Sequence, residues 1–400
     1  LLWPFFVAPA HAQDPPGELK PAPAAARAAQ DAPAGRLETW LEESLSGYLA
    51  WRSLADAEPG PARRLVARAM RNALRDPGAL LSAPSGEASE SARSATRRLL
   101  SERGMLVWRT LETVIGRQRV DAALREYYER HRRGPAGLAD FRKVCEEISG
   151  RDLGWFFDYY IAGAELPEIE IRRAPAGPHE FAGEILIRNA PVEFQARVEM
   201  RLHLAGGSAL DHSVATNGPV TPFALNTPDA VTRVTLDPDA RILRVTDAAR
   251  RHAAQQPLLR QFDELERAGS FAEALARCEQ ALAADPEDLA ANHQQIRFEM
   301  GRLLHRLGKH SEAWLNFERV LALDSLDGMA ADFYRAWSRV FRSRIARTQG
   351  RPASARAEAQ AGLASQSPAL ETPIRWPGDT REATAAQALR RELAPAGPKR

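Results

Sequence analysis

Apolar residues recur three and four positions apart through LETWLEESLSGYLAW, PARRLVARAMRNAL, GMLVWRTLETVIG, VDAALREYYERH and LADFRKVCEEISG. That spacing gives each segment one apolar face when it is helical, so a helical domain is expected over residues 37–165. The Ser/Gly-rich stretch SAPSGEASES, residues 82–91, breaks the pattern and reads as a surface loop. Past Pro167 the period shortens. EIEIRR, FAGEILIRN, FQARVEMRLHL, TRVTLD and RILRVTD alternate or form short β-rich runs, and GG, NG, NTPD and DPD punctuate them. A small antiparallel β-sandwich is expected over residues 166–247.

Helical spacing returns over residues 256–368, and here the chain repeats itself. LERAGSFAEALARCEQALAADPED is matched by HRLGKHSEAWLNFERVLALDSLD and then by RTQGRPASARAEAQAGLASQSP. Gly269, Gly308 and Gly350 sit where two helices turn, and Ala274, Ala313 and Ala355 follow five residues later, where helices approach closely. The units resemble tetratricopeptide repeats, although they are longer than that family's usual period. A plain array of helical hairpins without a ligand is the alternative. The Pro/Arg/Ala-rich residues 369–400 read as a disordered tail. The fold class is therefore multidomain and mainly α, with a helical domain, a β-sandwich and an α-helical repeat domain.

Composition adds limits. A chain of 400 residues with 44% hydrophobic and 26% charged residues can fill several cores. A net charge of +2 argues neither for nor against a polyanionic partner, but no basic run of the kind that tracks nucleic acid is present, so no nucleic-acid partner is expected. The apolar start LLWPFFVAPA ends in Ala10-His11-Ala12, the small-x-small pattern of a secretory signal, so residues 1–12 predict export to a periplasmic or extracellular space. A stray apolar N-terminus is the alternative. No later run is long enough to span a membrane. Residues 13–36 are Pro/Ala-rich and read as a tether. Cys145 and Cys278 fall in separate presumed domains, which predicts two buried thiols rather than a disulfide.

Four segments in order carry a family resemblance. Residues 40–51, WLEESLSGYLAW, are similar to the Trp-Leu-x-Glu-Gly-Phe-Ala-x-Tyr segment of the M1 aminopeptidases, which are gluzincin zinc peptidases. SERGMLVWRTLETVIG resembles that family's Tyr-x-Lys-Gly segment and the helix after it. The stretch from Ala122 through Ser149-Gly150-Arg151-Asp152-Leu153 to Ile171 resembles the end of its helical region. VTLDPDARILRV resembles the close of its β-sandwich. The resemblance covers about half the chain, residues 37–247.

It implies a zinc site that these residues cannot complete. A catalytic zinc takes about three protein ligands and a water. The family draws two from His-Glu-x-x-His, whose spacing places both rings on one helix face, with the intervening Glu as general base. The third is a Glu nineteen residues on, matched here by Glu43. Counting back reaches Ala24 and Lys20, in the segment KPAPA, where prolines oppose a helix. No His-Glu-x-x-His occurs in these 400 residues. Ser101 stands at the position of the family's oxyanion-stabilising Tyr, and Ser44 at that of the Gly after the ligand.

Glu43 thus reads as a remnant ligand position whose structural role is a helix carboxylate paired with an arginine. Trp40, Leu41, Leu45, Tyr48 and Leu49 read as a buried stripe. His305 and His310, five apart, lie off the face that chelation needs. No cofactor is expected; zinc belongs to the alternative reading, a zinc-dependent aminopeptidase, or a fragment of one, with a rebuilt metal site. The expected function is a catalytically inactive, peptidase-like scaffold that binds a protein or peptide through its helical repeats. Gln294, Arg297, Phe298 and Arg302 are the expected partner-facing residues.

Overall fold

The computed structural model describes residues 34–74, 90–132, 137–163, 165–323, 328–374 and 383–393. The expected leader at 1–12, most of the tether and most of the 82–91 loop lie outside these residues. The chain is mainly helical. Helices α1 (Ala34–Ala57), α2 (Pro59–Asn72), α3 (Glu90–Ile115), α4 (Arg117–His131) and α5 (Leu138–Ser149) lead to the short α6 (Gly154–Phe157) and a π-helical turn at Asp158–Ala162. No helix among the described residues is long and apolar enough to cross a membrane.

Helices α1 and α3 form the centre of this first part. A side-chain carbon on Gly104 would overlap Ser44, and one on Gly47 would overlap Ser101. The two helices therefore meet through two reciprocal small-residue pairs, spaced by one helical turn on each. Trp40, Leu41 and Tyr48 are buried on the same face, as their spacing predicts, and Leu45 packs against them. Leu49 does not join them. It is 47% exposed, because it falls on the opposite side of α1 from the seam.

Six strands follow: β1 (Glu168–Arg173), β2 (Glu180–Arg188), β3 (Arg197–Leu204), β4 (Ala209–Ala215), β5 (Val220–Asn226) and β6 (Val231–Leu236). They make two three-stranded antiparallel sheets, in the orders β1-β2-β5 and β4-β3-β6. Alternation drives the packing: Phe181, Ile185 and Ile187 of β2, and Val198, Met200, Leu202 and Leu204 of β3, point inward at every second position. The expected final strand in RILRVTD is absent. Asp237 turns the chain by accepting the backbone N–H groups of Arg241 (2.8 Å) and Ile242 (3.1 Å). The Leu243 N–H then bonds the Thr110 hydroxyl of α3 (2.8 Å) rather than a neighbouring strand.

The boundary near residue 165 is not a gap between cores. Ile169, Ile185, Ile187, Phe194, Val198, Ile242 and Leu243 belong to one continuous apolar cluster with Trp108, Phe141, Phe156 and Tyr160. Helices and sandwich are fused.

The remaining helices are α7 (Asp247–Arg267), α8 (Phe271–Ala283), α9 (His293–Arg306), α10 (His310–Ala322), α11 (Gly328–Thr348), α12 (Pro352–Leu363) and α13 (Ala385–Leu393). Pairs α7–α8, α9–α10 and α11–α12 are hairpins with one shared turn geometry. Gly269, Gly308 and Gly350 all have positive φ, 81°, 74° and 69°. After each, the next N–H reaches back five residues: Ser270 to the Leu265 carbonyl, Lys309 to Leu304, and Arg351 to Ala346, at 2.8–2.9 Å. This is the Schellman closure that a left-handed glycine permits. Ala274, Ala313 and Ala355 are buried, as the repeat requires.

The tail departs from expectation. Residues 385–393 form a helix whose Ala385, Ala386, Ala388 and Leu389 are buried against α11 and α12. Gly362 of α12 leaves the space that Leu389 fills. Helix α13 thus covers the last hairpin.

Candidate functional site

The two segments that resemble peptidase active-site walls do come together. Residues 40–48 on α1 face residues 101–108 on α3, and small side chains bring the backbones close. What they build is a polar seam inside a packed interface. The Ser44 hydroxyl accepts from the Trp108 indole N–H (3.0 Å) and donates to the Leu41 carbonyl (3.2 Å). Ser101 is held against Gly47. Glu43 lies 3.6 Å from Arg97 of α3, at the half-exposed edge.

Among the described residues no histidine joins Glu43, Ser44 or Ser101 in a group able to hold a metal, and the Glu43 carboxylate faces a guanidinium. Among the described residues one group could bring three ligand atoms together: Asp285, Asp288 and His293, at the loop between the first and second hairpins. Each is engaged with the backbone. Asp285 accepts the N–H groups of Leu289 (3.1 Å) and Ala290 (2.8 Å), Asp288 accepts that of His293 (2.9 Å), and His293 Nε2 meets the Asp285 carbonyl at 2.7 Å. Asp237 makes the same turn in the sandwich, so the Asp-Pro motif at 285 closes a loop.

One turn beyond Ser44, Tyr48 points to the other end of the seam. Its hydroxyl donates to Glu112 Oε1 (2.6 Å), and Arg52 bridges Tyr48 to Asp121. Burial, with the Glu112 carboxylate beside it, pushes the Tyr48 pKa well above the usual phenol value. Glu112 also faces Arg241 (3.7 Å) across the junction with the sandwich, and Arg241 pairs with Glu199 of β3 (2.6 Å). Nearby, Arg109 stacks on Trp51 and donates to the Asp239 carbonyl (2.6 Å). Its burial lowers its pKa to about 10.

This seam opens onto a polar cleft between the α3–α4 junction and strands β3 and β4, with a volume of about 290 Å³. A wider depression of about 660 Å³ adjoins it, sharing Val114, Arg151 and Gln195. Arg151 explains part of the most specific resemblance, Ser149 to Leu153. It caps the end of α3 by donating to the Val114 carbonyl (2.7 Å), while Asp152 caps Gly154 (2.8 Å).

The expected partner-facing residues on α9 are mostly inside. Phe298 is fully buried among Phe317, Tyr334 and Phe341. Gln294 donates to the Val320 carbonyl (3.0 Å). Arg302 is 4% exposed and forms a two-pronged ion pair with Glu266 of the preceding hairpin, at 2.5 and 2.6 Å. Helix α9 packs between α8 and α10 and against α11, so little of it stays open. Arg297 alone of the four is partly exposed. It forms no ion pair among the described residues; burial and the neighbouring Arg319 lower its pKa, and the Asp288 carboxylate opposes them more weakly.

Other chemistry is structural. Cys145 and Cys278 are buried thiols, and burial pushes Cys145 up to about 12. Tyr127 packs on Phe141 and Tyr160 reaches the Leu243 carbonyl, whereas Tyr128 is exposed. His305 and His310 do meet: their Nδ1 atoms lie 3.3 Å apart, because the turn at Gly308 folds one helix end onto the next helix start.

No family model matches the chain, and no curated protein matches it. Among solved structures, the aminopeptidase A of Legionella pneumophila in complex with aspartic acid superposes with a TM-score of 0.45 at 14% identity. The match covers 84% of this chain and 47% of that one, so the chain spans about half the length of that structure.

Proposed function

We propose that the protein is a peptidase-derived binding scaffold that does not hydrolyse peptides. The carrying observation is the seam between α1 and α3. The positions that resemble a ligand Glu, its following Gly and the oxyanion Tyr are Glu43, Ser44 and Ser101. Glu43 faces Arg97, Ser44 is hydrogen-bonded to Trp108, and Ser101 is pressed against Gly47. A catalytic zinc takes about three protein ligands and one open position, and here the one matching carboxylate faces a guanidinium while Ser44 is committed to Trp108.

The hairpins supply the binding surface in this reading. Stacked helical pairs present an extended face, and Arg297 beside Arg319, offset only in part by Asp288, gives that face a positive locus suited to an acidic side chain or a terminal carboxylate. Kinship with the M1 aminopeptidases and the tetratricopeptide character of the hairpins are parts of the same proposal. So is export, which rests on residues 1–12.

The test is hydrolysis of a panel of aminoacyl fluorogenic substrates by the full chain, with and without added zinc, alongside Glu43→Ala. Equal background rates in all samples agree with the scaffold. A zinc-dependent rate that Glu43→Ala abolishes overturns it.

A further inference from the structure

The cleft between the α3–α4 junction and the sandwich carries a charge surplus that the rest of the fold does not neutralise. Five arginines line it, Arg117, Arg119, Arg151, Arg197 and Arg241, against two carboxylates, Glu112 and Glu199. Both carboxylates are engaged: Glu199 pairs with Arg241 at 2.6 Å, and Glu112 accepts the Tyr48 hydroxyl and faces Arg241. Arg117 reaches Glu112 only at 4.0 Å.

The other three arginines have no carboxylate partner among the described residues. Arg119 donates to the Ile115 carbonyl (3.2 Å), Arg151 to the Val114 carbonyl (2.7 Å), and Arg197 to the Ser213 hydroxyl (3.1 Å). Each such bond uses one arm of a guanidinium that has five N–H donors. Several exposed arginines elsewhere on the surface are matched, although Arg173, Arg251 and Arg267 reach only backbone carbonyls. Arg130, Arg172, Arg201 and Arg250 each pair with Glu or Asp. The first turn of α4 adds further donors, since Gly116 lines the cleft and has no side chain with which to cap the helix.

We infer that this cleft binds a multiply charged oxyanion of the phosphate type, held by the guanidinium forks of Arg119, Arg151 and Arg197. Guanidinium groups recognise such anions by paired N–H donors, and a helix start favours negative charge. A volume of about 290 Å³ admits a phosphate with a small organic group attached. The anion joins the helical part to the sandwich, because Arg119 lies on α4, Arg151 follows α5 and Arg197 opens β3. Occupancy therefore also stabilises that junction.

The experiment is calorimetric titration of the full chain with inorganic phosphate at constant ionic strength, paired with thermal unfolding. The expected result is saturable one-to-one binding and a rise in the unfolding temperature with phosphate concentration. The double variant Arg119→Ala/Arg197→Ala weakens binding by about a hundredfold if each fork contributes about tenfold. Both side chains are exposed, and circular dichroism checks that the variant folds. Arg172→Ala, on the sandwich away from the cleft, leaves binding unchanged. Citrate is titrated in parallel. Tight citrate binding without phosphate binding overturns the phosphate assignment. Absence of saturable binding, or equal binding by the double variant, overturns the site itself.

Discussion

The Tyr48 hydroxyl donates to Glu112 Oε1 at 2.6 Å, across the junction where α1, α3 and the sandwich meet. Replacing it by Phe keeps the ring stacked on Trp108 but leaves a buried carboxylate oxygen without its donor. Tyr48→Phe is expected to lower stability by about 1–3 kcal/mol, read as a shift of the urea midpoint with little change in slope. A loss below a few tenths of a kcal/mol would show that Arg241 and solvent satisfy Glu112 without it.

Gly104 meets Ser44 where neither can grow. Gly104→Ala forces α1 and α3 apart and is expected to cost about 1–3 kcal/mol. In a Ser44→Gly background the same change has room, so its cost drops even though Ser44→Gly itself loses the Trp108 hydrogen bond. A double-mutant cycle by chemical denaturation measures this coupling; additive losses would mean that the two residues do not limit the approach.

His305 predicts a pH effect of definite sign. Burial lowers its pKa, and His310 and Arg344 add positive repulsion, while Phe341 packs its edge on the ring. The unfolded chain then binds its proton more readily, near the ordinary value of about 6.5. Stability from this group is full above that value and declines as the pH falls through it toward the lower folded pKa. His305→Gln is expected to flatten the pH dependence of unfolding between about pH 7 and 5. An unchanged profile would assign the dependence to other groups.

Leu389 fills the space above Gly362, so Leu389→Ala is expected to cost about 2–5 kcal/mol of local stability. Limited proteolysis should then release α13 before the hairpins are cut. Simultaneous cutting of the whole array would show that α13 is no separable cap.

The parts of this fold that were legible in sequence are those governed by local rules. Gly269, Gly308 and Gly350 marked the helix turns because a left-handed closure is nearly a glycine property, and the alternation in β2 and β3 marked a two-faced sheet. Nonlocal packing hid the rest. Arg302 looks like a surface cation until Glu266, on the preceding hairpin, is placed beside it. Phe298 reads as a groove residue when α9 is given one open face, and α9 has almost none. Helix α13 was concealed by its Pro- and Arg-rich surroundings, although Ala385, Ala386 and Leu389 already had helical spacing. His305 and His310 were dismissed by a single-helix rule that a turn between two helices does not obey. The arginines of the cleft lie on segments spread from Arg117 to Arg241, and no short motif joins them.

The apolar cluster running from Trp108 and Phe141 into Ile185, Val198 and Leu243 leaves no seam at which residues 34–162 and the sandwich can be parted. A gene fragment that ends near residue 165 would remove the sandwich side of that cluster and leave the helical residues it covers facing water. Any ancestral loss, swap or laboratory truncation that yields a soluble product must therefore have carried these two layers together, as one inherited block.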